Sequence, residues 1–183
     1  MSWDVGGVRI TRVVELVMPS PIDFSVEATP AEVAADAWLM PDFVHADGQY
    51  LTTLQTFVIE TGDVRIVVDT RTGNSKDHPL IPEFDQQHLP FLAHLRASGF
   101  PPETIDLVVC THLQVDHVGW NTQSHDSFHA SAFADSVQPI IDAGLVDPVE
   151  TDMALTGEVL LRSTPGTTRA YERVDRRALC DHR

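Results

Sequence analysis

The run Leu107-Val108-Val109-Cys110 is apolar throughout, and it is followed at once by three residues able to bind a divalent metal, His112, Asp116 and His117. A run of this length, bounded by polar residues, is short enough to be one buried strand. The chain must therefore fold so that a strand delivers two imidazoles and a carboxylate to a loop at its end. Imidazole nitrogen and carboxylate oxygen are donors that zinc and other divalent cations accept.

The spacing sharpens the expectation. His112 leaves the end of the strand, and if Val115 to Gly119 begins a helix, the neighbours Asp116 and His117 diverge by about 100°. Residues that diverge in this way can serve different faces of one metal cluster. A catalytic zinc keeps a position open for water and lowers its pKa to about 7. A polar loop without a metal would also accommodate these three side chains, so the pattern alone leaves both readings open.

The flanking chain predicts alternating strands and helices. Val8 to Val17 is rich in β-branched residues and reads as a strand, ended by Pro19 and Pro21. Thr29, Pro30 and Glu32 form a helix start, with a threonine cap, a proline in the first turn and a glutamate three after the cap; the helix is expected to reach about Leu39. Gln55–Glu60 and Val64–Asp69 form a hairpin around Thr61-Gly62-Asp63. Arg71 to Gln87 is polar and loop-like. A helix is expected from about Leu89 to Ser98 with Gly99 as its stop, then a strand from Thr104 to Cys110. Phe133, Val137, Ile140 and Ile141 keep helical spacing up to Gly144, and Val159 to Leu161 is a short strand candidate.

With 183 residues, 43% hydrophobic and 21% charged, the chain has the composition of a globular protein with room for a substantial core. Its formal net charge of −15 repels phosphate backbones and anionic lipid, which argues against nucleic acid or a membrane surface as a partner. Cys110 and Cys180 do not make a disulfide framework. The N-terminal residues lack the regions of a signal peptide and no window approaches 18 consecutive apolar residues, so a cytoplasmic location is expected.

The segment "THLQVDHVGWNT", Thr111 to Thr122, resembles the "THxHxDH" signature of the metallo-β-lactamase-fold metallo-hydrolases, in particular their lactonase-like and organophosphate-hydrolase-like branch. The resemblance extends to "VVDTRTGNSK" at Val67 to Lys76, "PFLAHLRASGFPPETIDLVVCTH" at Pro90 to His112, "FADSVQPIIDAGL" at Phe133 to Leu145 and "STPGTT" at Ser163 to Thr168. It implies an α/β fold, the metallo-β-lactamase-like αββα sandwich, incomplete in its C-terminal half, as a single domain over 1–183 with an internal deletion near 122–132. In that case either a second copy of the chain covers the exposed sheet edge or the domain is marginally stable.

The same resemblance implies the ligands. One metal site of the family takes the two histidines of "HxH" and a third in "TPGH"; here these positions are His112, Gln114 and Thr167. The other keeps Asp116 and His117, with Asp181 as the counterpart of the bridging aspartate and His182 as a weaker one for the last histidine. Asp69 corresponds to an aspartate that is structural or orients the ligands; apart from the resemblance it reads as a turn residue at a strand end. The implied cofactor is Zn2+, one or two ions, or another divalent metal. The implied activity is hydrolysis of an ester, lactone or related bond in a small-molecule substrate, with Asp116 orienting the nucleophile or taking its proton. The alternatives are a metal or ligand binder without turnover and a decayed copy of the fold. His45, His78, His88 and His94 are expected at the surface, whereas His125 and His129, four apart, could share a helical face and replace lost ligands.

Overall fold

The computed structural model describes residues 1–20, 29–45, 47–122, 132–149, 152–162 and 172–175. Seven strands form one mixed sheet: β1 (Ser2–Val5), β2 (Val8–Ser20), β3 (Tyr50–Thr61), β4 (Val64–Val68), β5 (Leu107–Cys110), β6 (Val146–Pro148) and β7 (Glu172–Asp175). Their order across the sheet is β1-β2-β3-β4-β5-β7-β6. The hairpin expected around Gly62 is present, with Thr61 opposite Val64 and a two-residue turn between them. β4 and β5 run parallel, with Ile66, Val67 and Val68 opposite Leu107, Val108 and Val109. Because β7 pairs with the other edge of β5, the strand that ends at Cys110 has hydrogen-bonding neighbours on both sides. Both β4 and β5 are thus interior strands, consistent with their near-continuous apolar sequences.

Two strand expectations need correction. β2 continues through Pro19, which lies opposite Leu51. A proline lacks an N–H for one side of a ladder, and β1 accompanies β2 only as far as Thr11, so that side carries no partner at Pro19. Val159 to Leu161 does not form a strand; a single bridge joins Ala154 to Leu160.

The helices are short: α1 (Pro30–Ala35), α2 (Phe91–Ala97), α3 (Val115–Val118), α4 (Ala132–Ser136) and α5 (Gln138–Asp142). α1 starts as expected, since Thr29 Oγ1 accepts from the Glu32 N–H and the Glu32 carboxylate accepts from the Thr29 N–H. It ends at Ala35, and a separate 3-10 turn carries the chain from Ala37 to Leu39. Gly99 and Gly144 follow α2 and α5 with positive φ, the left-handed stop that glycine adopts without a Cβ penalty.

Phe91 and Leu95 of α2, Val118 of α3 and Val137 and Ile140 around α5 share one core with Val58, Val67, Val108 and Cys110 of the sheet. Phe91 stacks on Trp120 with ring centroids 5.7 Å apart. Each such fully buried side chain contributes about 1.5–3 kcal/mol relative to an exposed one. This packing fixes the segment after β5 against the sheet, so the residues that follow Cys110 emerge from a rigid floor.

Arg71 to Gln87 is irregular, as expected, but its first half is not a surface loop. Arg71, Thr72, Lys76 and His78 are buried, which overturns the surface placement of His78. Lys76 Nζ reaches Thr122 Oγ1 at 2.8 Å and Ser136 Oγ at 2.9 Å, with Asp135 Oδ1 at 3.7 Å. Buried polar groups must find partners of this kind, and here they tie the loop after β4 to the segment after α3 and to α4. Among the described residues, no helix is long and apolar enough to cross a membrane.

Candidate metal centre

His112, Asp116 and His117 come together. One donor atom from each lies within 4.8 Å of the others, and among the described residues this is the one group of three His, Cys, Asp or Glu side chains so arranged. His112 stands just beyond β5, while Asp116 and His117 lie on α3. The two imidazole rings are 3.8 Å apart between centroids, and His117 Nε2 is 3.2 Å from Asp116 Oδ2. Two ligands about 2.1 Å from one tetrahedral ion lie about 3.4 Å apart, so the nitrogen and the oxygen already stand at a ligand-to-ligand distance.

The backbone brings the pieces together through two loops in close contact. Thr70 N–H donates to the His117 carbonyl at 2.7 Å, Gly119 N–H to the Arg71 carbonyl at 2.5 Å, and Trp120 N–H to the Thr70 carbonyl at 3.1 Å. At Gly119 a Cβ would stand 1.9 Å from the Thr72 carbonyl carbon. Only glycine allows this approach, which explains the glycine that follows the ligands. In the opposing loop Asp69 and Arg71 hold φ of 61° and 59°, a left-handed conformation that costs non-glycine residues about 1–3 kcal/mol each.

Asp69 is buried and fully engaged. Its Oδ2 lies 2.9 Å from His117 Nδ1 and 3.3 Å from Arg71 Nη2, and its Oδ1 accepts the Thr111 N–H at 2.7 Å. Burial alone would raise its pKa, but the His117 hydrogen bond and charge, with help from Thr111 and Arg71, hold it below the ordinary aspartate value. Asp116 behaves alike: burial opposes ionisation, and the His117 contact outweighs it. For His117 burial disfavours the charged ring, yet hydrogen bonds to Asp116 and Asp69 push its pKa up to about 9. Without a metal, His117 is therefore the cation between two carboxylates. Asp69 on Nδ1 leaves Nε2 as the nitrogen that faces the cluster, the arrangement by which a carboxylate orients a metal-binding histidine.

The donor set fits a divalent cation. Two nitrogens and a carboxylate oxygen converge, all three side chains are half-buried, and among the described residues no further His, Cys, Asp or Glu joins the group. Gln114 also approaches the cluster, its Oε1 3.0 Å from His112 Nε2; a glutamine amide is a poor zinc ligand. Asp181 and His182, as well as Thr167, His125 and His129, lie outside the described residues. Of the sequence-based candidates, His112, Asp116, His117 and the orienting Asp69 are placed together. Arg71 was not foreseen, because a polar residue after a strand carries no sign in the sequence that it turns inward.

A cleft of ≈ 580 Å³ opens beside the cluster, with Gln114, Val115 and Asp116 in its wall. Met18, Leu54, Ile81 and Phe84 make much of the remainder apolar, and Glu83 adds a second carboxylate. Asp116 thus belongs both to the donor cluster and to the cleft.

A family model described as the metallo-beta-lactamase superfamily matches residues 54–138. None of the curated proteins searched matches the chain. Among solved structures, AidC, a dizinc quorum-quenching lactonase, is 19% identical with a TM-score of 0.52, over 69% of this chain and 40% of that one. AbOPH, a hydrolase in the beta lactamase superfamily, is 22% identical with a TM-score of 0.48, over 64% and 37%. A protein described as a probable metal-dependent hydrolase from Staphylococcus aureus is 20% identical with a TM-score of 0.48, over 67% and 43%. The chain thus spans 37–43% of the length of these structures, and the likeness to the lactonase is one of fold. The stretch that matches the metallo-beta-lactamase superfamily model contains Asp69, Arg71 and all three residues of the donor cluster.

Proposed function

We propose that this chain is a metal-dependent hydrolase that holds one divalent ion with His112, Asp116 and His117 and acts on an ester, lactone or related bond of a small molecule. The observation that carries the proposal is the double position of Asp116, a member of the donor cluster and of the cleft wall at once. A substrate in the cleft would present its bond at the ion's open side.

A divalent ion in such a donor set supplies a water of lowered pKa and a Lewis acid for a carbonyl or phosphoryl oxygen. Zinc suits the two nitrogens and one oxygen, although other divalent metals accept the same donors. The residues do the rest. Asp69 holds the His117 ring by Nδ1, and Asp116, ionised and at the cleft, orients a water or receives its proton. The apolar wall of Met18, Leu54, Ile81 and Phe84 excludes water from one side of the cleft and suits the aliphatic or aromatic part of a substrate.

Gln114 favours a second reading, a chain that binds metal without turnover. With an amide where the family's signature has a histidine, the other ion of a two-metal site loses a ligand, and His112 is drawn to a single cluster with Asp116 and His117. The test is hydrolysis of 4-nitrophenyl butyrate and γ-butyrolactone by zinc-loaded protein, with and without chelator. Turnover abolished by chelation and restored by zinc supports the hydrolase; bound zinc without turnover supports the second reading.

A further inference from the structure

Arg71 is an arginine in a place where arginine is costly. Its backbone is left-handed, with φ of 59°, and its side chain is buried, with 5% of the residue exposed. An arginine in an acidic chain, three residues after the end of β4, would ordinarily reach for solvent. Instead its Nη2 lies 3.3 Å from Asp69 Oδ2, the oxygen that also meets His117 Nδ1 at 2.9 Å and Thr111 Oγ1 at 2.9 Å. Its charge also draws on Asp116 and Glu15. A buried guanidinium surrounded by carboxylates is retained only where the pairing compensates for its desolvation.

The two halves of this residue act on the same helix. The Arg71 carbonyl accepts the Gly119 N–H at the end of α3, while its side chain reaches the carboxylate that holds His117 on α3. Thr111 holds both oxygens of this carboxylate, through its N–H and its hydroxyl. The guanidinium adds the one permanent charge that meets the oxygen facing His117.

From this geometry we infer that Arg71 is a positioning residue: it locks the Asp69 carboxylate in the orientation that aims His117 Nε2 at the metal cluster. The inference rests on the cluster as a metal centre, but its effect on Asp69 and His117 exists without metal. Two forces on a bound cation have opposite signs. A positive charge nearby repels the ion, whereas a correctly held ligand set attracts it. Arg71 meets the oxygen of Asp69 that holds His117, at 3.3 Å, so the held ligand set dominates, and removing the side chain weakens metal binding rather than strengthening it.

The test uses Arg71→Met in the full chain, which leaves the Arg71 carbonyl bond in place. Two readouts are taken. One is the exchange protection of the His117 Nδ1–H proton by NMR in metal-free protein; the other is the zinc dissociation constant by competition with a chromophoric chelator. Loss of that protection, with zinc affinity reduced about 10–100-fold as for other residues that support metal ligands, is expected. Unchanged protection, or zinc bound as tightly as or more tightly than by wild type, overturns the assignment. If wild type takes up no zinc, the metal centre fails while the Nδ1–H signal still decides the role of Arg71. If Arg71→Met does not fold by circular dichroism, Arg71→Lys gives the same readouts. Lysine lacks the Nη2 that stands 3.3 Å from Asp69 Oδ2, so a folded Arg71→Lys with full Nδ1–H protection also overturns the assignment.

Discussion

Asp69 Oδ2 lies 2.9 Å from Nδ1 of His117, across two loops that are 48 residues apart in sequence by subtraction, 117 − 69. This contact joins the strand pair β3–β4 to the helix that carries two of the three donors. It also decides which nitrogen of His117 faces the cluster, so the aim of that ring depends on a residue outside the donor cluster.

Asp69→Asn tests that dependence. Asparagine tolerates the left-handed backbone that Asp69 adopts, so the fold is expected to survive while the charge that holds the ring is lost. Zinc affinity should fall about 10–100-fold, measured by chelator competition, with an unchanged circular dichroism spectrum.

Gly119→Ala tests the close approach of the two loops. The new Cβ would meet the backbone of Thr72 at 1.9 Å, and backbone cannot give way as a flexible side chain does. A loss of stability near the upper end of the about 1–3 kcal/mol typical of overpacking is expected in a denaturant titration, together with loss of zinc binding.

Gln114→His tests the incomplete half of the site. Gln114 already places Oε1 3.0 Å from His112 Nε2, so an imidazole there adds a donor beside the existing cluster. Bound zinc per chain, by elemental analysis after dialysis, should rise relative to wild type.

Glu15 gives the pH prediction. Burial raises its pKa above 4.5, and the Trp120 indole N–H, 3.0 Å from its Oε1, offsets this only in part. The folded state therefore holds this proton at pH values where the unfolded chain has released it. Its contribution to stability is fully present below about pH 4.5 and is lost as pH rises through the raised value, with a slope of at most about 1.4 kcal/mol per pH unit. Glu15→Gln keeps the acceptor for Trp120 but does not titrate. The stability difference between the two proteins should shift toward Glu15→Gln as pH rises across that window; a difference independent of pH would contradict the assignment.

The sequence makes His112, Asp116 and His117 legible because a short apolar strand followed by donors places them at a sheet's end, where tertiary packing has little choice. The hairpin at Gly62 and the cap at Thr29 are legible because their chemistry is local. What escapes is non-local. Lys76 and His78 look like loop residues, and only the packing of that loop under Thr122 and α4 buries them. Arg71 escapes because its left-handed backbone and inward side chain belong to a loop that packs against Gly119, a segment distant in sequence. Pro19 continues its strand because the neighbouring β1 has already ended, a fact about another strand's length.

The central claim is that two imidazoles and one carboxylate converge on a single cation. Metal content of zinc-reconstituted wild type, His112→Ala and Asp116→Ala, determined by elemental analysis after exhaustive dialysis, tests it most directly. About one zinc per chain in wild type and a clear loss in both variants, each still folded, is the predicted result. Equal zinc in all three, or none in wild type, would contradict it.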